Sequence, residues 1–207
     1  MVVGAVIKSF ASPGTVPTGL AWDGKTLWHS DSATARIYQI NPITGAVIKW
    51  FASPGTSPRD LAWDGKTLWN CDIITLRIYQ INPITGAVIK WFASPGTSPR
   101  GLTWDGKTLW HSDSNTDRIY QINPITGAVI KWFASPDIEP RGLTWDGHTL
   151  WHVVFTLIRV HQINPITGAT IRFFASPSWG NECLAWDGHT LWLSDYNLDR
   201  IYQLETH

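Results

Sequence analysis

Trp22-Asp23-Gly24-Lys25-Thr26-Leu27-Trp28 begins a run that returns almost letter for letter at residues 63–69, 104–110, 145–151 and 186–192. Each step is 41 residues, and five such steps account for 205 of the 207 residues in the chain. Outward from this run the copying continues. Gln39-Ile40-Asn41-Pro42-Ile43-Thr44-Gly45-Ala46 recurs at 80–87, 121–128 and 162–169, and Ala46-Val47-Ile48-Lys49-Trp50-Phe51-Ala52-Ser53-Pro54 at 87–95 and 128–136. Copies this alike imply recent amplification or deliberate symmetrisation. A period of this length marks a repeat architecture, in which each unit buries its apolar surface against its neighbours.

Within one repeat, turn signals cut four short segments rich in β-branched and aromatic residues, which in the first copy are Gly19–Asp23, Thr26–Asp31, Arg36–Asn41 and Ala46–Ala52. Asp23-Gly24 marks a tight hairpin, since Gly accepts the positive φ that such a turn needs. In Asn41-Pro42-Ile43-Thr44-Gly45 the Pro fixes φ early and the Gly relieves it late. No segment holds apolar residues at helical spacing for two turns. The expected class is therefore all-β, with four antiparallel strands in each 41-residue unit, which is the pattern of a β-propeller blade.

A linear solenoid would also stack identical units, but the ends of the chain argue for a ring. Residues 4–20 match the fourth strand and exit loop of a repeat, whereas the C-terminal repeat stops at its third strand, Ile201-Tyr202-Gln203-Leu204. A fifth complete blade exists only if the N-terminal strand joins the last three. The expectation is a single domain over residues 1–207, a five-bladed propeller with three-plus-one closure that leaves no half-blade unpaired. Fourteen tryptophans suit wedge-shaped gaps between splayed blades, each able to bury on the order of 200 Å². Ten of them recur, at Trp22, Trp28 and their copies, and are read as core.

Sixteen basic residues balance sixteen acidic ones, which removes the electrostatic case for nucleic acid or an acidic membrane surface as partner. The start Met1-Val2-Val3-Gly4-Ala5-Val6-Ile7 lacks the charged and long apolar regions of a signal peptide, and no stretch approaches the length of a transmembrane helix. Compartment stays open. Cys71 and Cys183 stand where other copies carry mostly Ser and Gly, and are read as free thiols.

Pro140-Arg141-Gly142-Leu143-Thr144-Trp145-Asp146-Gly147, with Leu109-Trp110-His111-Ser112-Asp113-Ser114-Asn115-Thr116-Asp117-Arg118-Ile119 one repeat earlier, resembles the repeat of NHL-type and virginiamycin B lyase-like propellers. The resemblance touches every copy. It implies the propeller fold and leaves activity open, because one fold hosts many functions. In this motif Asp31 and Arg36, with copies Asp72/Arg77, Asp113/Arg118 and Asp195/Arg200, flank the turn between second and third strands and are read as a bracing ion pair. The fourth copy has Val154 instead of the acid.

Antiparallel geometry sorts the copies' differences by face. Turns after the first and third strands share one face and are nearly uniform, whereas turns after the second strand and the exit loops share the other and carry most of the variation. Loops at one end of a rigid scaffold are where binding usually resides. In blades four and five this face gathers Phe155, Leu157, Ile158, Trp179, Tyr196 and Leu198, with His152, Asn181 and Glu182 as polar neighbours, so it is the candidate ligand-binding patch and a route to self-association of an otherwise monomeric protein. At the start of the inner strands, Arg59, Arg100 and Arg141 form an axial mouth that favours an anion or braces neighbouring loops.

The expected function is a non-catalytic binding or scaffold propeller whose partner is a small molecule, glycan or peptide. The alternatives are a lyase-like enzyme, for which His152 with Glu182 is the one candidate pair, and a structural repeat with no ligand. No cofactor is expected, since the chain has no Gly-rich phosphate loop. No metal is expected either, because His29, His111 and His152 are equivalent positions too far off the axis to share one ion.

Overall fold

Alternation of β-branched and aromatic residues between Gly- and Pro-rich turns produces twenty strands in the computed structural model, and the described residues contain no helix. The structure describes residues 2–206. Met1 and His207, the ends of the single domain expected over 1–207, lie outside them. The chain opens with β1 (Val6–Ala11) and then supplies four strands per repeat. Blade one holds β2 (Pro17–Trp22), β3 (Leu27–Asp31), β4 (Arg36–Ile40) and β5 (Val47–Ala52). Blade two holds β6 (Pro58–Trp63), β7 (Leu68–Asp72), β8 (Arg77–Ile81) and β9 (Val88–Ala93). Blade three holds β10 (Pro99–Trp104), β11 (Leu109–Asp113), β12 (Arg118–Ile122) and β13 (Val129–Ala134). Blade four holds β14 (Pro140–Trp145), β15 (Leu150–Val154), β16 (Arg159–Ile163) and β17 (Thr170–Ala175), followed by β18 (Asn181–Trp186), β19 (Leu191–Asp195) and β20 (Arg200–Leu204).

Each blade is a four-stranded antiparallel sheet, and the fifth has the order β1-β20-β19-β18. β1 pairs with β20 in the register Ser9↔Tyr202, Phe10↔Ile201, Ala11↔Arg200, so the ends of the chain close the ring as the repeat arithmetic requires. This is a five-bladed β-propeller with three-plus-one closure.

The recurrent Trp-Asp-Gly-x-Thr-Leu-Trp run is a self-contained hydrogen-bond unit. Asp23 Oδ1 accepts from the amides of Lys25 (2.9 Å) and Thr26 (2.6 Å), and Oδ2 from Thr26 Oγ1 (2.6 Å) and Trp28 Nε1 (2.9 Å). Burial pushes this carboxyl upward, but the Thr26 hydroxyl, the turn amides and the indole outweigh it and hold its pKa below the usual value. Gly45 closes the other turn at φ +75°, and a side chain there would strike the Phe10 ring of the neighbouring blade.

Trp28, Trp69, Trp110, Trp151 and Trp192 are buried to within 2 % and pack between blades. Each tilts against an outer-strand Phe, as in Trp28–Phe51 at 5.9 Å. Trp22, Trp63, Trp104, Trp145 and Trp186 correct the sequence reading, because they are only partly buried. Each ends an innermost strand, where the blades converge on the axis. One face of each ring packs on the core, and together the five rim a cavity of about 80 Å³ at that end of the axis.

The Asp31–Arg36 ion pair does not form. Asp31 is fully buried and serves backbone amides instead, accepting from Val16 N (2.8 Å) and Thr34 N (2.8 Å). Arg36 lies over Trp50 at 3.8 Å. The acid's two oxygens already match the donors of the two loops it joins, so the guanidinium is left to the exposed ring.

Candidate binding site at the ring axis

Every innermost strand starts with an irregularity in its pairing, between Pro17 and Gly19, Pro58 and Leu61, Pro99 and Leu102, Pro140 and Leu143, and Asn181 and Cys183. Pro suits the first strand position because it has no amide to donate to the ladder. The bulge that follows re-aims the next residues toward the axis, which places Thr18, Arg59, Arg100, Arg141 and Glu182 at equivalent positions around the mouth on the variable face.

Three guanidiniums converge on one carboxylate there. Arg141 Nη1 lies 2.9 Å from Glu182 Oε2, while Arg100 and Arg59 reach Oε1 at 3.4 and 3.5 Å. Glu182 is 6 % exposed, and these are the ion pairs among the described residues. Burial, then the neighbouring Arg141, lowers the Arg100 pKa to about 10, so it remains charged at neutral pH. Three positive charges face one negative. Arg59 Nε and Arg141 Nε are buried donors with no acceptor. Above the cluster opens a cavity of about 240 Å³ lined by Val16, Thr18, Arg59, Arg100, Arg141, Glu182 and Tyr196.

Tyr196 of blade five supplies its aromatic wall, with Phe155 of blade four behind it. Phe155 stacks on Tyr196 with ring centres 6.3 Å apart, and the Arg141 guanidinium lies 4.7 Å from the centre of Phe155. The structure therefore joins the two groups of residues that the sequence treated separately, the axial arginines and part of the blade-four and blade-five patch. Trp179 is 73 % exposed in the exit loop and does not line the cavity. Asn181 is fully buried, and neither atom of its amide has a partner.

His152 is not on the face at all. It is fully buried in β15, where Nδ1 donates to Gly142 O (3.1 Å) and Nε2 accepts from Ser135 (3.1 Å). Burial lowers its pKa to about 3. His29 and His111 make the matching bonds to Gly19 and Gly101 carbonyls and to Ser12 and Ser94. These imidazoles tie the exit loop of one blade to the inner hairpin of the next. In the fifth blade Leu193 occupies the histidine position and Ser176 Oγ is left without a partner. Cys71 and Cys183 are free and buried.

Asp60 is the residue that sequence reasoning missed. It follows Arg59 on β6, is 1 % exposed, and sits where the other blades carry Gly19, Gly101, Gly142 and Cys183. Its Oδ1 accepts from Leu61 N (2.7 Å), Leu20 N (3.4 Å) and the Cys183 thiol, and Oδ2 from Leu102 N (2.8 Å) and Leu143 N (3.4 Å). One carboxyl thus touches all five blades. Burial raises its pKa to about 8, against the pull of the thiol and the amides. The signal was present in the sequence as one acid among glycines. A side chain at Gly19 would collide with Arg59 O and Ser30 Oγ, which explains why its neighbours stay bare.

No family model and no curated protein matches the chain. Among solved structures, a glutaminyl cyclase from Myxococcus xanthus is 13 % identical and superposes with a TM-score of 0.84, over 97 % of this chain and 95 % of that one. Virginiamycin B lyase from Staphylococcus aureus is 19 % identical, with a TM-score of 0.60 over 95 % of this chain and 68 % of that one. A nidogen/laminin complex gives 21 % identity and a TM-score of 0.68, over 94 % and 77 %. At these identities the likeness is one of fold, and it includes the lyase-like propellers to which the repeat is similar.

Proposed function

We propose that this propeller is a non-catalytic binding module that takes a small carboxylate- or phosphate-bearing molecule into the mouth of its ring. The observation that carries this reading is the convergence of Arg59, Arg100 and Arg141 on the single carboxylate of Glu182 beneath an open cavity. The cluster holds two more positive charges than negative ones, in a concave site that focuses its field. Glu182 marks where an anion is stabilised. Tyr196, stacked on Phe155, gives the ligand an apolar edge to pack on, a combination typical of small-molecule sites. An acidic sugar or an organic phosphate satisfies both requirements.

The lyase-like alternative draws no support from this geometry, because His152 has both ring nitrogens occupied inside the blade. Calorimetric titration with inorganic phosphate, citrate, glucuronate and neutral glucose tests the proposal. Saturable binding of at least one anion and not of glucose, weakened tenfold or more by Arg141→Ala, is expected. Absence of anion binding, or binding indifferent to both Arg100→Ala and Arg141→Ala, would overturn it.

A further inference from the structure

The deepest part of the axis has a chemistry of its own. Beside the bulges of the inner strands, the amides of Leu20, Leu61, Leu102 and Leu143 are all turned toward the Asp60 carboxyl group. Four N–H dipoles from four blades, two at each oxygen of the one carboxyl group, form a backbone cradle that favours negative charge, as clustered amides do at phosphate sites. The cradle is a property of the repeat, since each of these leucines follows the same Pro-x-x spacing. Its occupant is not. Only one group can stand on a five-fold axis, and a side chain at Gly19 or Gly101 would overlap the carbonyl oxygen of Arg59 or Arg141 in the adjoining blade. Blade two alone breaks the glycine pattern with an acid.

We propose that the propeller axis is a small-anion site built from inner-strand amides, and that Asp60 is its tethered occupant. With glycine at position 60, as in blades one, three and four, the same amides take a free monovalent anion such as chloride or bromide. In the native chain the tethered carboxyl excludes that ion and locks all five inner strands together. The site is separate from the mouth cavity, which Arg59, Arg100, Arg141 and Glu182 line and Asp60 does not.

The test is Asp60→Gly in the full chain, with thermal unfolding followed in sodium chloride and in sodium gluconate at matched ionic strength. A salt concentration about a hundredfold above the dissociation constant raises the folding constant about a hundredfold. The variant should therefore melt several degrees higher in chloride, while the native protein melts alike in both salts. Crystals of the variant grown in bromide should show an anomalous peak within hydrogen-bond distance of the Leu102 and Leu143 amides. Recovery of an otherwise unfolded variant by chloride supports the proposal equally. A variant that ignores chloride, a native protein that responds as strongly, a variant that stays unfolded in every salt, or an axis empty of bromide overturns it. Arg141→Ala in the Asp60→Gly background separates the two sites, because it removes mouth binding and leaves the chloride response.

Discussion

Stability should peak near pH 7, and two opposing sets of buried groups set that peak. Asp60 has its pKa raised to about 8 from an ordinary 3.8, so the folded state holds a proton that the unfolded chain releases. Its contribution is complete below the unfolded value and is lost as pH rises through 8. From pH 6.5 to 9 that loss is about 2 kcal/mol. His29 and His111 are lowered to about 4 and His152 to about 3, chiefly by burial, from an ordinary 6.5. For these the unfolded chain binds the extra proton, so stability is present above 6.5 and is lost as pH falls. Between pH 6.5 and 4 each histidine costs about 3 kcal/mol, whereas Asp60 returns about 3 over the same span. Three histidines therefore outweigh one aspartate on the acid side. Urea unfolding from pH 4.5 to 9 reads the result, and with a slope of about 2 kcal/mol per molar the alkaline limb amounts to about 1 M in midpoint. Asp60→Asn should remove that limb and leave a plateau above pH 7, at a lower midpoint because an amide NH₂ then opposes a backbone donor. His29→Asn, copying Asn70 of blade two, should shrink the acid limb by about half of its depth, since about 3 of the net ~6 kcal/mol goes with it. A native midpoint that climbs steadily from pH 6 to 9, or an Asp60→Asn protein with the native alkaline limb, would refute the reasoning.

Three further outcomes follow from the fold. Asp105→Asn strips acceptors from Thr108 and the Trp110 indole in blade three and should cost about 2–4 kcal/mol, read as a lower urea midpoint with unchanged slope; a change under about 0.5 kcal/mol would show the motif to be ornamental. Removing residues 2–12 leaves β20 as an open edge, so light scattering should detect dimers or larger species that a peptide of residues 4–12 returns to monomer; a monomer of native stability would count against closure by β1. Ile158 holds φ at +51°, a conformation costly for a bulky residue, where blades three and five place Asp117 and Asp199. Ile158→Asp should raise stability by about 1 kcal/mol in the same urea assay, and a loss would mean that the packing of this side chain outweighs its backbone strain.

The amino-acid sequence determined the blade count, the four strands of each blade and the closure of the ring, because these rest on local and periodic information. Asp-Gly turns, β-branched runs and a 41-residue period are visible one residue at a time. It also located the variable face, since antiparallel strands fix which turns lie together. What only the tertiary structure decided is where side chains meet across the ring. Glu182 and Arg59 are 123 positions apart in sequence, as are Asp60 and Cys183, and only closure into a ring brings each pair together. The same folding withdrew His152 into a loop-bracing bond and set Trp22 and its copies at the rim of a cavity. A repeat specifies one blade five times over, but an axis has room for one occupant. The groups that fill it must therefore break the repeat, and their partners come from every blade at once.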